Sequence, residues 1–344
     1  MRAAVLTGHG GAEVVGYVEN LPVPEPGAGE VRIRIAAAAL NRLDLWVRAG
    51  WKGLNLDFPH VIASDGAGVV DAFGDSVTGF APGDRVCIDP TIVRPDDPAL
   101  YSGLENQTSI AILGEHHSGT AAEYIVLPQR NLMKMPKDFD FGEAAAVGLV
   151  GVTAWHSLIT RGRLQAGESV LIVGAGGGVN SISIQIAKLA GATVYAVGSN
   201  AEKCAEAEAI GADVTINREE APQWSRALYK LTNRRGVDVV VDNVGAATLG
   251  QSMRACRIGG RILIVGGTSG YGFELNVAQL FTRHISLIGS TMGPHRDYVA
   301  FMEQVFAGRI RAVIGARLPL SAARRAQDML ETNAVFGKVV LELQ

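Results

Sequence analysis

Residues 167–188, GESVLIVGAGGGVNSISIQIAK, decide the fold of this chain. A β-branched run, Val170 to Val173, enters a cluster of Gly174, Gly176, Gly177 and Gly178, and an apolar helical pattern begins at Val179. A strand that turns sharply into a helix makes an anion site. The first-turn N–H groups have no intrahelical partner, and the helix dipole favours negative charge there. Glycines permit the turn and let a pyrophosphate approach the backbone. This strand–turn–helix context is what a dinucleotide fingerprint requires, although the last glycine of the pattern is replaced by Asn180.

Around this stretch, strands and helices alternate from about residue 141. FGEAAAVGLVGVTAWHSLITRG reads as a helix ended by Gly162, and the apolar strands SVLIV, TVYAV, DVTI, VDVVVD, RILIVG and ISLIG follow. Continuous apolar strands are buried on both faces, which predicts a parallel sheet with helices on each side. About six strands is the Rossmann number. The first ~125 residues read instead as short strands with Gly/Pro turns, the pattern of an irregular β-rich domain. A long excursion, residues 91–119, interrupts them. The tail returns to strand-like RAVIGARLPL and GKVVLELQ, which fit back into the first domain's sheet. The predicted fold is α/β: a doubly wound Rossmann domain, 151–290, inserted in a β-rich domain, 1–150 plus 291–344.

With 344 residues, 48% hydrophobic and 19% charged, the chain is that of a globular protein of two domains. A net charge of −3 argues against a nucleic-acid or anionic-membrane surface. The apolar runs read as too short to span a bilayer, and MRAAVLTGHGG has no signal-peptide form, so the expected location is the cytoplasm. Cys87, Cys204 and Cys256 have no metal-ligand spacing and read as small buried hydrophobes.

The chain resembles the medium-chain dehydrogenase/reductase superfamily over essentially its full length, in its alcohol dehydrogenase and quinone oxidoreductase branches. The resemblance rests on LNRLDLWVRAG (40–50), PHVIASDGAGVV (59–70), PGDRV (82–86), LGEHHSGTAAEYIVLP (113–128), VGVTAWHSL (150–158), the glycine stretch, AIGAD (209–213), GVDVVVDNVG (236–245) and FGKVV (336–340). It implies that the β-rich domain is a GroES-like catalytic domain. It also implies that the catalytic-zinc ligands of the zinc enzymes fall at Asn41, Ser64 and Leu149, and the structural-zinc ligands at Arg94, Asp97, Leu100 and Thr108. An amide, a hydroxyl and an alkyl group do not make a zinc site, so no metal is expected. The zinc-less branch then implies hydride transfer from a nicotinamide to an activated acceptor, with hydrogen-bond donors at the developing oxyanion.

By that resemblance Asn41 is the donor candidate, and Trp46 stands where zinc-less relatives often carry a tyrosine. Asp44 and Ser64 complete the catalytic candidates, although Asp44 and Arg48, spaced i and i+4, also read as an ordinary ion pair. Ser64 and Asp65 read as lining the cleft or binding the backbone of the next turn, and His116 and His117 as solvated rim. The place of the acid that holds the ribose 2′-OH of NAD is Gly198, followed by Ser199, Asn200 and Lys203, with Arg218 beyond the third strand. Loss of the carboxylate and gain of donors predict NADP(H). Thr153, Asn243, Gly245, Val265, Gly266, Gly267 and Lys338 carry over as further cofactor contacts. Asn180 either obstructs the cofactor or contacts its phosphate.

The leading expectation is a zinc-independent NADPH-dependent reductase of quinones or α,β-unsaturated carbonyls. An alcohol/aldehyde dehydrogenase or enoyl-thioester reductase stays open, as does an idle NADP(H)-binding structural or redox-sensing protein. The expected partners are a small-molecule substrate and a second copy, pairing through the sheet edge near 284–289 into a homodimer or a tetramer.

Overall fold

A computed structural model describes residues 1–93 and 110–343. The four places implied for structural-zinc ligands, at 94, 97, 100 and 108, lie outside the described residues. The chain divides into two compact units, Met1–Leu149 with Pro294–Gln344, and Val150–Gly293.

In the unit Val150–Gly293, all six apolar runs form strands of one parallel sheet. Ser169–Val173 lies at its centre, flanked on one side by Thr193–Gly198 and then Val214–Asn217. On the other side lie Val237–Asp242, Cys256–Ile264 and Ser286–Gly289. In chain order this is 3-2-1-4-5-6, the doubly wound arrangement in which ligands bind beyond the carboxyl ends of the strands, where the order reverses. Val237–Asp242 is buried at every position, as a strand covered on both faces must be.

The helix read over FGEAAAVGLVGVTAWHSLITRG is α-helical from Phe141 to Trp155 and continues as a π-helical turn, His156–Arg161. Gly162 closes it with its N–H on the Ser157 carbonyl at 2.7 Å. A Cβ on Gly162 would stand 2.7 Å from that same oxygen, so the wide turn needs glycine at its end. One expectation changes here: the 21 residues Phe141–Arg161 are long and apolar enough to cross a membrane, yet 83% of their apolar window is buried inside the protein.

The other unit is built on Glu30–Leu40. This strand pairs with Asp65–Phe73, Tyr124–Pro128 and Lys338–Glu342, and Ile314–Pro319 extends the sheet beyond Lys338–Glu342. The C-terminal strands therefore rejoin the N-terminal sheet. Val31, Ile33 and Ile35 are buried while Arg34 between them is exposed, the alternation of a half-solvated strand; from Ala37 to Leu40 burial becomes continuous. Cys87, Cys204 and Cys256 are free and buried, and desolvation pushes the thiols of Cys87 and Cys256 up to about 12 and about 11.

Candidate functional site

In the first unit, Glu30–Leu40 ends at Asn41, which caps the helix Arg42–Ala49. The carboxyl of Asp44, three residues on, accepts the Asn41 N–H at 2.7 Å, one half of a capping box. Its other oxygen accepts the N–H of Ala63 at 2.8 Å. Ala63 sits at φ 72°, and Gly119 packs so tightly on it that a Cβ there would stand 2.2 Å from the Ala63 oxygen. Asp44 is thus not an ion-pair partner of Arg48, which instead bonds Gln327 at 3.0 Å and Glu331 at 2.8 Å. Burial pushes the Asp44 carboxyl up to about 6, against the opposing pull of its two backbone donors.

The Asn41 side chain belongs to a buried triad. Its Nδ2 donates to Asp65 Oδ2 at 2.9 Å, and its Oδ1 accepts from Lys338 Nζ. Lys338 also reaches Asp65 Oδ2 at 3.1 Å, and the second Asp65 oxygen accepts the Leu149 N–H at 2.6 Å. Asn41, Asp65 and Lys338 are 5%, 0% and 4% exposed, so this is a desolvated ion pair with an amide inserted in it. The residues at the implied metal positions are thereby tied to one carboxylate, Asn41 through its amide and Leu149 through its backbone. Ser64 is buried beside Asp65, and Trp46 is half-buried on the helix. Tested for zinc, the set offers an amide, a hydroxyl and an alkyl chain, and no cluster of three or more His, Cys, Asp or Glu occurs among the described residues. Zinc does not fit these donors. His116 and His117 lie exposed on their loop.

In the second unit, the predicted cofactor residues other than Thr153, which lies in the helix Phe141–Trp155, gather at the carboxyl ends of five neighbouring strands. Gly174, at φ 88°, makes the turn after Ser169–Val173, and Gly177 caps the helix Gly178–Leu189. Gly174 and Ala175 donate to the Val197 carbonyl, whereas the N–H groups of Gly176, Gly178, Val179 and Asn180 have no backbone acceptor among the described residues. Such a row of open donors at a helix N-terminus fits a pyrophosphate. Lys203 lies over this turn: a Cβ on Gly176 would stand 3.4 Å from the Lys203 Nζ. Asn200 caps the helix Ala201–Ala209 by accepting the Lys203 N–H at 2.9 Å.

Gly198 ends its strand with Ser199 half-buried after it, and the N–H of Arg218, whose side chain is exposed, donates to the Gly198 carbonyl at 3.0 Å. A Cβ on Gly198 would stand only 2.5 Å from Cys204 Sγ, so this position has no room for an acidic side chain. Beyond the next two strands, the loops 243–248 and 265–270 are sewn together. Ser269 donates to the Val244 carbonyl at 2.8 Å, and Val265 to that of Asp242 at 2.9 Å. Gly245, at φ 89°, packs so closely that a Cβ would stand 2.9 Å from the Cα of Gly267, and one on Gly266 would stand 3.1 Å from the Asn243 carbonyl. The buried carboxylate of Asp242 pins the first loop through the N–H groups of Val244 and Gly245 and the hydroxyls of Thr248 and Ser252. Thr153, buried, directs its hydroxyl to Met292 Sδ at 3.6 Å.

Two residues central to this geometry, Asp65 and Asp242, were not among the site candidates. Asp242 is marked in sequence by its place at the end of a strand, before Asn243 and Gly245. Asp65 has no local signal, since its partners are 24, 84 and 273 residues away.

A two-unit chain with an open pyrophosphate turn at a Rossmann switch point defines a dinucleotide-dependent enzyme. The comparisons with known proteins agree. Residues 27–137 match the alcohol dehydrogenase GroES-like domain, and residues 178–307 match the zinc-binding dehydrogenase family. The chain is 33% identical to a zinc-type alcohol dehydrogenase-like protein of Schizosaccharomyces pombe over 94% of each chain, and 28% identical to the quinone oxidoreductase of Homo sapiens over 100% of this chain and 98% of that one. A solved NAD-dependent alcohol dehydrogenase superposes with a TM-score of 0.96 at 44% identity over the whole of both chains. The chain belongs to the medium-chain dehydrogenase/reductase superfamily. It is an oxidoreductase of the class that uses a nicotinamide cofactor.

Proposed function

We propose that this protein is a zinc-independent, NADPH-dependent reductase of quinones or α,β-unsaturated carbonyls. The observation that carries the reading is the buried Asn41–Asp65–Lys338 triad, in which Asn41, at the first implied metal position, is bonded into an ion pair instead of offering a metal donor. When bound, the nicotinamide supplies the hydride. Asn41 spends one N–H on Asp65 and keeps the other for the acceptor's developing oxyanion. Lys338, donating to the amide oxygen, polarises the carboxamide and strengthens that remaining donor. An activated acceptor needs this and little more, whereas alcohol oxidation must stabilise an alkoxide. NADP(H) is favoured by the crowded, uncharged Gly198 with Lys203 poised over the turn.

The 44% identity to a protein titled an NAD-dependent alcohol dehydrogenase favours a second reading, NAD-linked alcohol oxidation. Steady-state kinetics with NADPH and NADH over quinones, enones, aldehydes and alcohols decides between them. We expect kcat/KM to be higher with NADPH, quinones and enones to be the best acceptors, and metal analysis to find less than stoichiometric zinc. Asn41→Ala should lower kcat about 10²–10³-fold, the usual effect of losing one oxyanion donor. A clear NADH preference with alcohol turnover, or one zinc per chain, would overturn the proposal.

A further inference from the structure

Asn180 stands where the dinucleotide pattern has its last glycine, and its side chain neither blocks the turn nor reaches into it. The residue is 4% exposed, in the first turn of the helix Gly178–Leu189. Its Nδ2 donates to the Val173 carbonyl at 2.9 Å and to the Gly174 carbonyl. Both amide hydrogens are thereby spent, and two facing carbonyls admit only the NH₂ end of the side chain. Oδ1 is left buried without a hydrogen-bond partner. The parallel ladder beside the turn stays in register through Val173 and Gly198's neighbour Val197, so the amide is accommodated without displacing the strand.

Among the described residues, the Gly174 carbonyl has only one backbone donor, Gly177 N at 3.4 Å. The amide supplies the closer donor and engages both strand-end carbonyls, next to the open N–H groups of Gly176, Gly178 and Val179. An acceptor oxygen swinging into that row would repel a phosphate. We propose that Asn180 is a positioning residue: a clamp that holds the phosphate-binding turn in its binding shape before the cofactor arrives. The orphaned Oδ1 is a standing cost of the clamp. The gain is preorganisation, which strengthens binding by removing the ordering cost from the binding step. The inference rests on the turn being the nicotinamide dinucleotide site, whichever of the two cofactors it prefers.

The test uses the full chain with Asn180→Gly and Asn180→Ala. Three quantities are measured: dissociation constants for NADPH and NADH from cofactor fluorescence, backbone deuterium uptake across 173–180 without cofactor, and the thermal midpoint. We expect both variants to bind the preferred cofactor about tenfold more weakly, the worth of one or two net hydrogen bonds. Uptake at 174–178 should be faster, and the thermal midpoint should fall by no more than the few degrees that one or two net hydrogen bonds are worth. Alanine separates the clamp from backbone freedom: if only the glycine variant weakens, glycine's flexibility is the cause and the proposal fails. Unchanged or tighter binding in both variants overturns it, as does faster uptake with no change in affinity, which would make the amide merely structural. If the parent binds neither NADPH nor NADH, the cofactor reading fails first and the clamp falls with it.

Discussion

At the scale of the residue, Asp44 and Lys338 carry the sharpest consequences. The Asp44 carboxyl titrates at about 6 in the folded chain against 3.8 as its ordinary value. The folded state therefore holds this proton more tightly than the unfolded state does. Its contribution to stability is full below about pH 4 and is lost as pH rises through about 6. Two units correspond to about 3 kcal/mol. Urea midpoints of parent and Asp44→Asn across pH 4 to 7 should converge toward high pH. The variant lacks the titration but leaves one of two backbone donors short of an acceptor, a pH-independent loss of about 1–3 kcal/mol. A parallel pair of curves would show that Asp44 does not titrate there. Lys338→Met strands the Asp65 carboxylate in the interior, and we expect a loss of about 3–5 kcal/mol. Adding Asp65→Asn should recover at least half of it in chemical denaturation, because a neutral amide still accepts from Leu149; no recovery would mean the two side chains are not energetically paired.

At the scale of the element, the glycine turn and strand ends were legible because their signals are local. β-branched runs, glycine punctuation and helical periodicity act within a dozen residues, so the six apolar runs and their parallel sheet could be read directly, although the edge strands Val214–Asn217 and Ser286–Gly289 are not the fully buried strands expected. The capping box of Asn41 and Asp44 was legible in the same way, from N-cap and N3 spacing, yet the i, i+4 spacing of Asp44 and Arg48 drew the reading to an ion pair. Arg48 turns instead to the distant helix Ala323–Glu331, a choice that tertiary packing makes. Gly198 illustrates what spacing cannot contain: the missing acid was evident, but the Cys204 sulfur that closes the position was not. Gly198→Asp alone should therefore destabilise the chain without producing NADH preference. Combined with Cys204→Ala, which opens the space, it should shift the NADPH/NADH ratio of kcat/KM at least tenfold toward NADH. A switch produced by the single substitution would show that the sulfur yields easily.

At the scale of the whole molecule, the parallel sheet ends at Ser286–Gly289, which pairs only with Cys256–Ile264 among the described strands. The helix before it exposes Val277 (60%) and Phe281 (64%). An unpaired edge beside apolar side chains is a self-association surface, and we propose that a second copy covers it. Light scattering should return twice the chain mass for the parent and a single chain for Val277→Glu with Phe281→Glu. A monomeric parent would remove the proposal. The triad marks the limit of legibility at this scale. Asn41 and Lys338 each drew attention through the resemblance, but their meeting, and the Asp65 that joins them, depends on a strand pairing across almost the whole chain.

That pairing orders events during synthesis. Val150–Gly293 is contiguous and has its whole sheet once residue 293 is made, while Glu30–Leu40 waits for Lys338–Glu342. Lys338 follows Asn41 by 297 positions, which take about 15 to 60 s to translate at roughly 5–20 residues per second. Throughout that interval the nascent β-rich unit lacks the cation its Asp65 is built around. This unit, and not Val150–Gly293, is therefore where a chaperone has most to protect and where a truncated message leaves an unfinished fold.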